Sequence, residues 1–488
     1  MGRLRIFRAI GSLLYKKIPA PFFISKCAGC CYEYYVKSLF YNNVGNFQNA
    51  ELERRMESHA IALQPFSVTG LTVLGIFTLC MAAIVLEAKL HMDKFKPALL
   101  MLLAWLVIGL HYYFSGDDPA RFEPFLKAQE HNEINVFSLI GFMAFMWMIV
   151  EILAERNVFA ALNGYLLQRG LGAKGLFWAT GALSALLSPF VNNITTAMIF
   201  GKSIKHVSEN REYTHVALCN IIIASNSGVW FLGTATSLMV VLAGKISIVG
   251  LMMLAPAGLI GWAVSAWVLQ TFYLQKLPDN VIAQTKTDSS LKPGAHALIA
   301  ISVVGLIFAV VMNIVLSIKI EFAIGMVLGA ITLYCWRLQK RGEPIQMLVQ
   351  LQKVEWNTLM FFIGIISGVA ALNHAGWLTY ISHLFEIVSP TWVNVILGII
   401  SGILDNVPVA AAALMSNPQL SLDQWALNAL MIGIGGSLTV IGSAAGVLIM
   451  SIDKSYTFGT HLKFLPAILV NFLASLAVWY LQFQLIMK

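Results

Sequence analysis

Long apolar runs dominate the chain, set apart by short polar stretches. After Gln64 they fall at about 66–88, 97–114, 135–156, 214–242, 248–274, 296–317, 320–336, 357–373, 424–450 and 464–486. Each lies near the ~20 residues that a helix needs to cross a bilayer. Two further regions, about 173–201 and 391–416, are apolar but interrupted by Pro and Asn. That is the pattern of a re-entrant hairpin, because proline removes a helical hydrogen bond. The pattern predicts an all-α polytopic membrane protein of about 10–12 membrane segments.

Polar stretches divide the chain. Residues 1–65 form a basic extension whose apolar part, roughly 18–40, carries Lys26, Glu33 and Lys37. It reads as interfacial or as one poor span. The linker "LPDNVIAQTKTDSSLKPGA" (277–295) separates a first membrane half, 66–276, from a second, 296–488. The first holds the hairpin 173–201 and a broken helix 214–242; the second holds the hairpin 391–416 and a broken helix 424–450. The loop 337–356 carries four basic residues and belongs in the cytoplasm; the loop 115–134, with five acidic and two basic residues, belongs outside. The linker is assigned to the cytoplasm. The spans after these two loops look alike yet enter from opposite sides, as in an inverted repeat.

Composition sharpens this reading. The chain of 488 residues is 58% hydrophobic and 11% charged, against about 25% charged in soluble domains. Its charge of +8 is spread over loops and forms no patch, which argues against nucleic-acid binding. Cys80, Cys219 and Cys335 sit alone in apolar runs and read as core residues. Cys27, Cys30 and Cys31 form "CAGCC" without the further ligands a zinc site needs.

An inverted repeat demands that the interrupted segments come in pairs. "SPFVNNITTAMIF" (188–200) aligns with "SGILDNVPVAAAALM" (401–415), matching Asn192 with Asp405 and Asn193 with Asn406. "NSGVWFLGTATSLMV" (226–240) aligns with "GGSLTVIGSAAGVLIM" (435–450), matching Gly233 with Gly442 and Thr234 with Ser443. The offsets are nearly equal: 405 minus 192 is 213, and 442 minus 233 is 209. In a bilayer, unwound backbone survives only when it is buried in protein or lines a cavity. Pro189 and Pro408 are read as interrupting helices, and Gly233, Gly435, Gly436 and Gly442 as allowing the turns. Unwinding frees carbonyls for cations. Asn193, Thr195, Thr196, Thr234, Thr236, Asn406, Ser437 and Ser443 add neutral ligands suited to a dehydrated Na⁺-sized ion. Small polar residues also serve close helix packing; four such segments in two related pairs favour a transport site.

Among ionisable residues Asp405 stands out, with no other charge for many residues on either side. A carboxylate deep in a membrane costs at least a few kcal/mol and marks function by default. Competition between Na⁺ and H⁺ for it would give exchange. The plainer reading, a structural carboxylate paired with Lys or Arg, finds no basic residue nearby in sequence. Glu151, near the end of its span, either relays protons or reaches the cytoplasmic interface. His374 reads mainly as structural, and Lys174 and Lys202 as snorkelling.

These segments closely resemble those of NhaD-type sodium/proton antiporters, members of the ion transporter superfamily that also includes citrate, dicarboxylate and arsenite carriers. The carriers of the likeness are "SGILDNVPVAAAALM", "GGSLTVIGSAAGVLIMSIDK", "HLKFLPAILVNFLASLAVWYL", "MIVEILAERNVF", "LSALLSPFVNNITTAMIF" and "NSGVWFLGTATSLMVV", within roughly residues 66–488. The resemblance implies two inverted repeats with re-entrant hairpins, a midplane ion site, Na⁺ or Li⁺ export driven by H⁺ entry, a homodimer, and a multi-pass place in the cell's inner (plasma) membrane. It implies no cofactor. Na⁺ is assigned to Asp405, Asn406 and Asn193. The chain departs from the family pattern twice: Asn192 stands where the first hairpin usually has Asp, and Thr234 follows Gly233 where the family has Asp. Both losses put a two-acid electrogenic scheme in doubt. The alternative is a Na⁺-coupled carrier of a carboxylate or other anion on the same fold, weakened by the absence of Arg or Lys from the predicted core. An enzyme is disfavoured: there is no HExxH pair, GxSxG elbow or P-loop.

Overall fold

The computed structural model describes residues 63–90, 92–115, 122–168, 171–275 and 290–486. The basic extension to residue 62, its CAGCC cluster and most of the 277–295 linker lie outside the described residues. Among the described residues the regular structure is helical, and eight helices are long and apolar enough to cross a membrane.

The first half runs through α1 (Val68–Val85), α2 (Phe95–Leu100), α3 (Leu103–Phe114), α4 (Phe122–Glu155), α5 (Ala173–Val191), α6 (Asn193–Val207), α7 (Arg211–Asn226), α8 (Ala235–Leu242) and α9 (Ala255–Leu269). The second runs through α10 (Ala295–Leu316), α11 (Ile320–Lys340), α12 (Trp356–His374), α13 (Pro390–Ser401), α14 (Asn406–Met415), α15 (Leu422–Gly435), α16 (Ala444–Ile452) and α17 (Leu465–Trp479). Side-chain caps fix several starts. Ser67 accepts from the Gly70 N–H, Asn210 from Tyr213, Thr234 from Ser237 and Ser443 from Gly446, satisfying donors that the first turn leaves orphaned. The main packing pairs are α9 with α17, α13 with α15, α5 with α7, α10 with α11, α2 with α12, and α6 with α16.

Three details differ from the sequence expectation. Helix α4 has 34 residues and begins at Phe122, inside the stretch expected as an outer loop. The polar residues there are good helix formers, and Lys127 pairs with Glu123 one turn away at 2.9 Å; falling hydropathy marked no helix end. The span expected at 97–114 is interrupted at Met101–Leu102, between α2 and α3. Pro408, expected to interrupt a helix, lies in the first turn of α14. A first-turn residue has no intrahelical partner for its N–H, so proline there starts a helix at little cost.

The two aligned segment pairs make parallel contacts. The Ser188 hydroxyl donates to the Ser225 carbonyl, and Ser401, its aligned partner, donates to Ile432 O at 2.7 Å. Gly233 packs on the backbone of the first hairpin tip, where an added Cβ would lie 2.0 Å from Ser188 O. Its counterpart Gly442 packs on the second tip, where a Cβ would lie 2.7 Å from Gly402 O.

Candidate functional site

Each hairpin turns at its polar pair. In the first, the backbone reverses at Asn192 (φ 93°, ψ 159°) between α5 and α6. This region is almost reserved for glycine. Asn192 is held there because its side-chain oxygen accepts from the Thr195 N–H at 2.7 Å and its carbonyl from the Thr196 hydroxyl at 2.6 Å. In the second, the chain turns through 402–405, and the Asp405 carboxylate caps α14 by accepting from Val407 N–H at 3.4 Å.

The two tips meet at a small cavity of about 20 Å³. Asn192, Asn193 and Gly233 line it from the first half, and Asp405 and Asn406 from the second, with Met143 and Trp147 of α4 and Thr358 and Phe362 of α12 around them. That volume suits one water-sized species.

Lys94 also reaches this cavity. Its ammonium donates to Asp405 Oδ2 at 3.0 Å and lies 4.4 Å from the centre of the Phe361 ring. Side-chain exposure is 18% for the lysine and 8% for the aspartate, so the pair is largely out of solvent. This corrects the expectation of a core without basic residues. Lys94 sits 311 residues from Asp405 in sequence, in the charged gap before α2, and the packing of α2 on α12 carries it to the tip of α14's hairpin.

A second contribution comes from Asn226, at the end of α7. Its Oδ1 accepts from Asn193 Nδ2 at 3.0 Å, and its Nδ2 donates to Ser443 Oγ at 2.9 Å. It thereby joins the first hairpin to the start of α16 in the other half. One Asn193 amide hydrogen is engaged in this way. Asn226 begins one of the aligned motifs, but its polarity alone did not distinguish it from a packing residue.

The other residues named from sequence are placed as follows. Thr195 and Thr196 bond back to Asn192 and do not line the cavity. Thr234 donates to Ser237 Oγ at 2.8 Å and caps α8. The hydroxyls of Thr236 and Ser437 are buried with no hydrogen-bond partner among the described residues. Gly435 packs against Gly398 O and Gly436 against Gly442 O. Glu151 is half-buried on α4, outside the cavity wall, and Lys353 and Glu355 are the charges that act on it. His374 joins the Tyr112 hydroxyl at 3.1 Å and packs beside Trp105, a structural setting.

The geometry can present one carboxylate and neutral oxygens to a single small cation, with a lysine competing for the carboxylate. Comparison with known proteins points the same way. The citrate transporter family description matches residues 81–432. The Na(+)/H(+) antiporter NhaD of Alkalimonas amylolytica is 32% identical over 444 residues, covering 84% of this chain and 90% of the relative. That of Vibrio cholerae is 32% identical over 449 residues, covering 84% and 91%. Sodium/proton antiporter 1 of Arabidopsis thaliana is 26% identical over 398 residues, covering 78% and 66%. With this identity sustained along nearly the whole of its bacterial relatives, the chain belongs to the NhaD-type antiporters of the citrate transporter family.

Proposed function

We propose that this membrane transporter exchanges Na⁺ or Li⁺ for H⁺ across the plasma membrane by alternating access, with Asp405 as the exchange carboxylate. The observation that carries the reading is the cavity where Asp405 and Lys94 meet Asn193 and Asn406 at the two hairpin tips. Three cations then compete for one carboxylate: the Lys94 ammonium, a proton, and Na⁺. Na⁺ binding displaces the ammonium and gains the neutral oxygens of Asn193 and Asn406; protonation of Asp405 releases the ion. The parallel contacts of Ser188 with Ser401 and of Gly233 with Gly442 support two related halves, inverted relative to each other, that rock about this site.

Lys94 also bears on the carboxylate-carrier alternative, since it brings a basic residue to the core. Two facts weigh against that alternative: Asp405 already neutralises the lysine, and about 20 Å³ holds a water-sized guest.

The test is exchange in everted membrane vesicles with a pH-sensitive dye. With the lumen acidified, Na⁺ or Li⁺ added to the outside medium should dissipate the proton gradient, and Asp405→Asn should abolish the response. A wild type that answers neither ion, or Na⁺-dependent uptake of a carboxylate in its place, would sink the antiport reading.

A further inference from the structure

The second break, between α15 and α16, is held by a residue outside both aligned motifs. In a continuous helix the Ser437 carbonyl would accept from the N–H of residue 441. The chain is unwound there, and His461 supplies the donor: its Nε2 lies 2.8 Å from Ser437 O. A carbonyl only accepts, so Nε2 carries the hydrogen. Nδ1 is then an acceptor, and it lies 2.8 Å from the Tyr456 hydroxyl, which donates to it. Both partners are therefore satisfied by one tautomer of the neutral imidazole. His461 is completely buried and Tyr456 almost so. Burial pushes the imidazole down to about 4, which keeps it neutral at ordinary pH.

The turn that presents His461 is tied to the other moving parts. The Asp453 carboxylate, at the end of α16, accepts from Ser455 N–H at 3.0 Å and Ser455 Oγ at 2.8 Å. Its carbonyl accepts from Tyr456 N–H at 2.9 Å. Lys205, on the outgoing arm of the first hairpin, pairs with Asp453 at 3.2 Å. The Ser455 proton is used on Asp453, so His215 Nε2, 2.9 Å from Ser455 Oγ, is the donor in that bond. Residues 453–461 thus contact the first hairpin through Lys205, α7 through His215, and the second break through Ser437. Helix α7 is in turn joined to the start of α16, where Asn226 donates to Ser443 Oγ.

We propose that His461 is a positioning residue for ion exchange, fixing the unwound backbone at Ser437 and holding the second break in register with the first hairpin through the turn 453–461. The proposal rests on the antiport reading above. The role differs from plain packing because what matters is one N–H aimed at one carbonyl. A substitute that keeps the donor should preserve cation affinity, and one that keeps only the volume should not.

The test titrates Na⁺ in everted vesicles carrying wild type, His461→Gln, His461→Met or Tyr456→Phe, with membrane insertion measured in parallel. Met leaves a buried carbonyl without a donor and should raise the KM for Na⁺ about tenfold, with the maximal rate within about twofold. Gln can aim an amide N–H at Ser437 and should stay within about threefold of wild type. Tyr456→Phe removes the donor that fixes the tautomer and should raise KM about threefold. An inserted Met variant with wild-type KM overturns the inference, as does a Gln variant no better than Met. If Met fails to insert, Tyr456→Phe decides, and a wild-type KM there overturns it. A wild type without any Na⁺ response would instead defeat the antiport reading itself.

Discussion

The Lys94 ammonium lies 3.0 Å from Asp405 Oδ2, at the point where the two hairpin tips meet. The distance and the low exposure of both groups make this a charge-assisted hydrogen bond, worth roughly 1.5–3 kcal/mol. Any cation that takes Asp405 must first displace it. Lys94→Met should therefore lower the apparent KM for Na⁺, by about tenfold, provided Na⁺ is the ion that competes. Titration of the dye response with NaCl measures it. An unchanged or raised KM would show that Lys94 is not a competitor.

The first hairpin and the second were legible as a pair because their polar residues stand out against apolar sequence, and Asn192–Asn193 aligns with Asp405–Asn406 without any structure. The ion pair was not legible. Lys94 lies among Glu87, Lys89, Asp93 and Lys96, where charges between two spans look like an ordinary loop. Only the packing of α2 on α12 selects one of them for the core. Sequence also assigned ligands too generously. Thr195, Thr196 and Thr234 are the right chemistry for a cation, but none of them lines the cavity, and the Thr196 and Thr234 hydroxyls donate within their own turns, to Asn192 O and Ser237 Oγ. Local capping is weakly separable from ligation, since both favour the same residue types at the same helix starts.

Asn226 should matter through the orientation it gives Asn193. Replacing it by Leu keeps the volume approximately but leaves the Asn193 amide and the Ser443 hydroxyl without their shared partner. A buried polar group that loses its partner costs about 1–3 kcal/mol. Asn226→Leu should accordingly raise the Na⁺ KM by roughly 5- to 100-fold, read in the same vesicle assay. A variant with normal insertion and unchanged KM would leave Asn226 as a packing residue only.

Gly233 is required by a close backbone approach. A methyl group there would lie 2.0 Å from Ser188 O and 2.5 Å from Pro189 C. Backbone atoms cannot swing aside as a flexible side chain can, so Gly233→Ala must displace the first tip and should abolish exchange. Gly141 in α4 is the control: an added Cβ meets nothing within 4 Å. Gly141→Ala should leave activity intact and stabilise the helix by about 0.5–1 kcal/mol. Thermal unfolding in detergent together with vesicle activity separates the two cases.

Asn192 tests whether the first hairpin lacks charge or shape. Its side-chain oxygen caps α6 by accepting from Thr195 N–H, and an aspartate can accept the same bond. Asn192→Asp should therefore insert normally while adding a carboxylate to the cavity wall that already contains Asp405. A second negative charge within the same small cavity attracts the bound cation, and partial burial limits screening. The variant should bind Na⁺ more tightly, lowering the apparent KM. Titration of the dye response with NaCl measures it, and an inserted variant with wild-type KM would show that the charge at position 192 does not reach the ion.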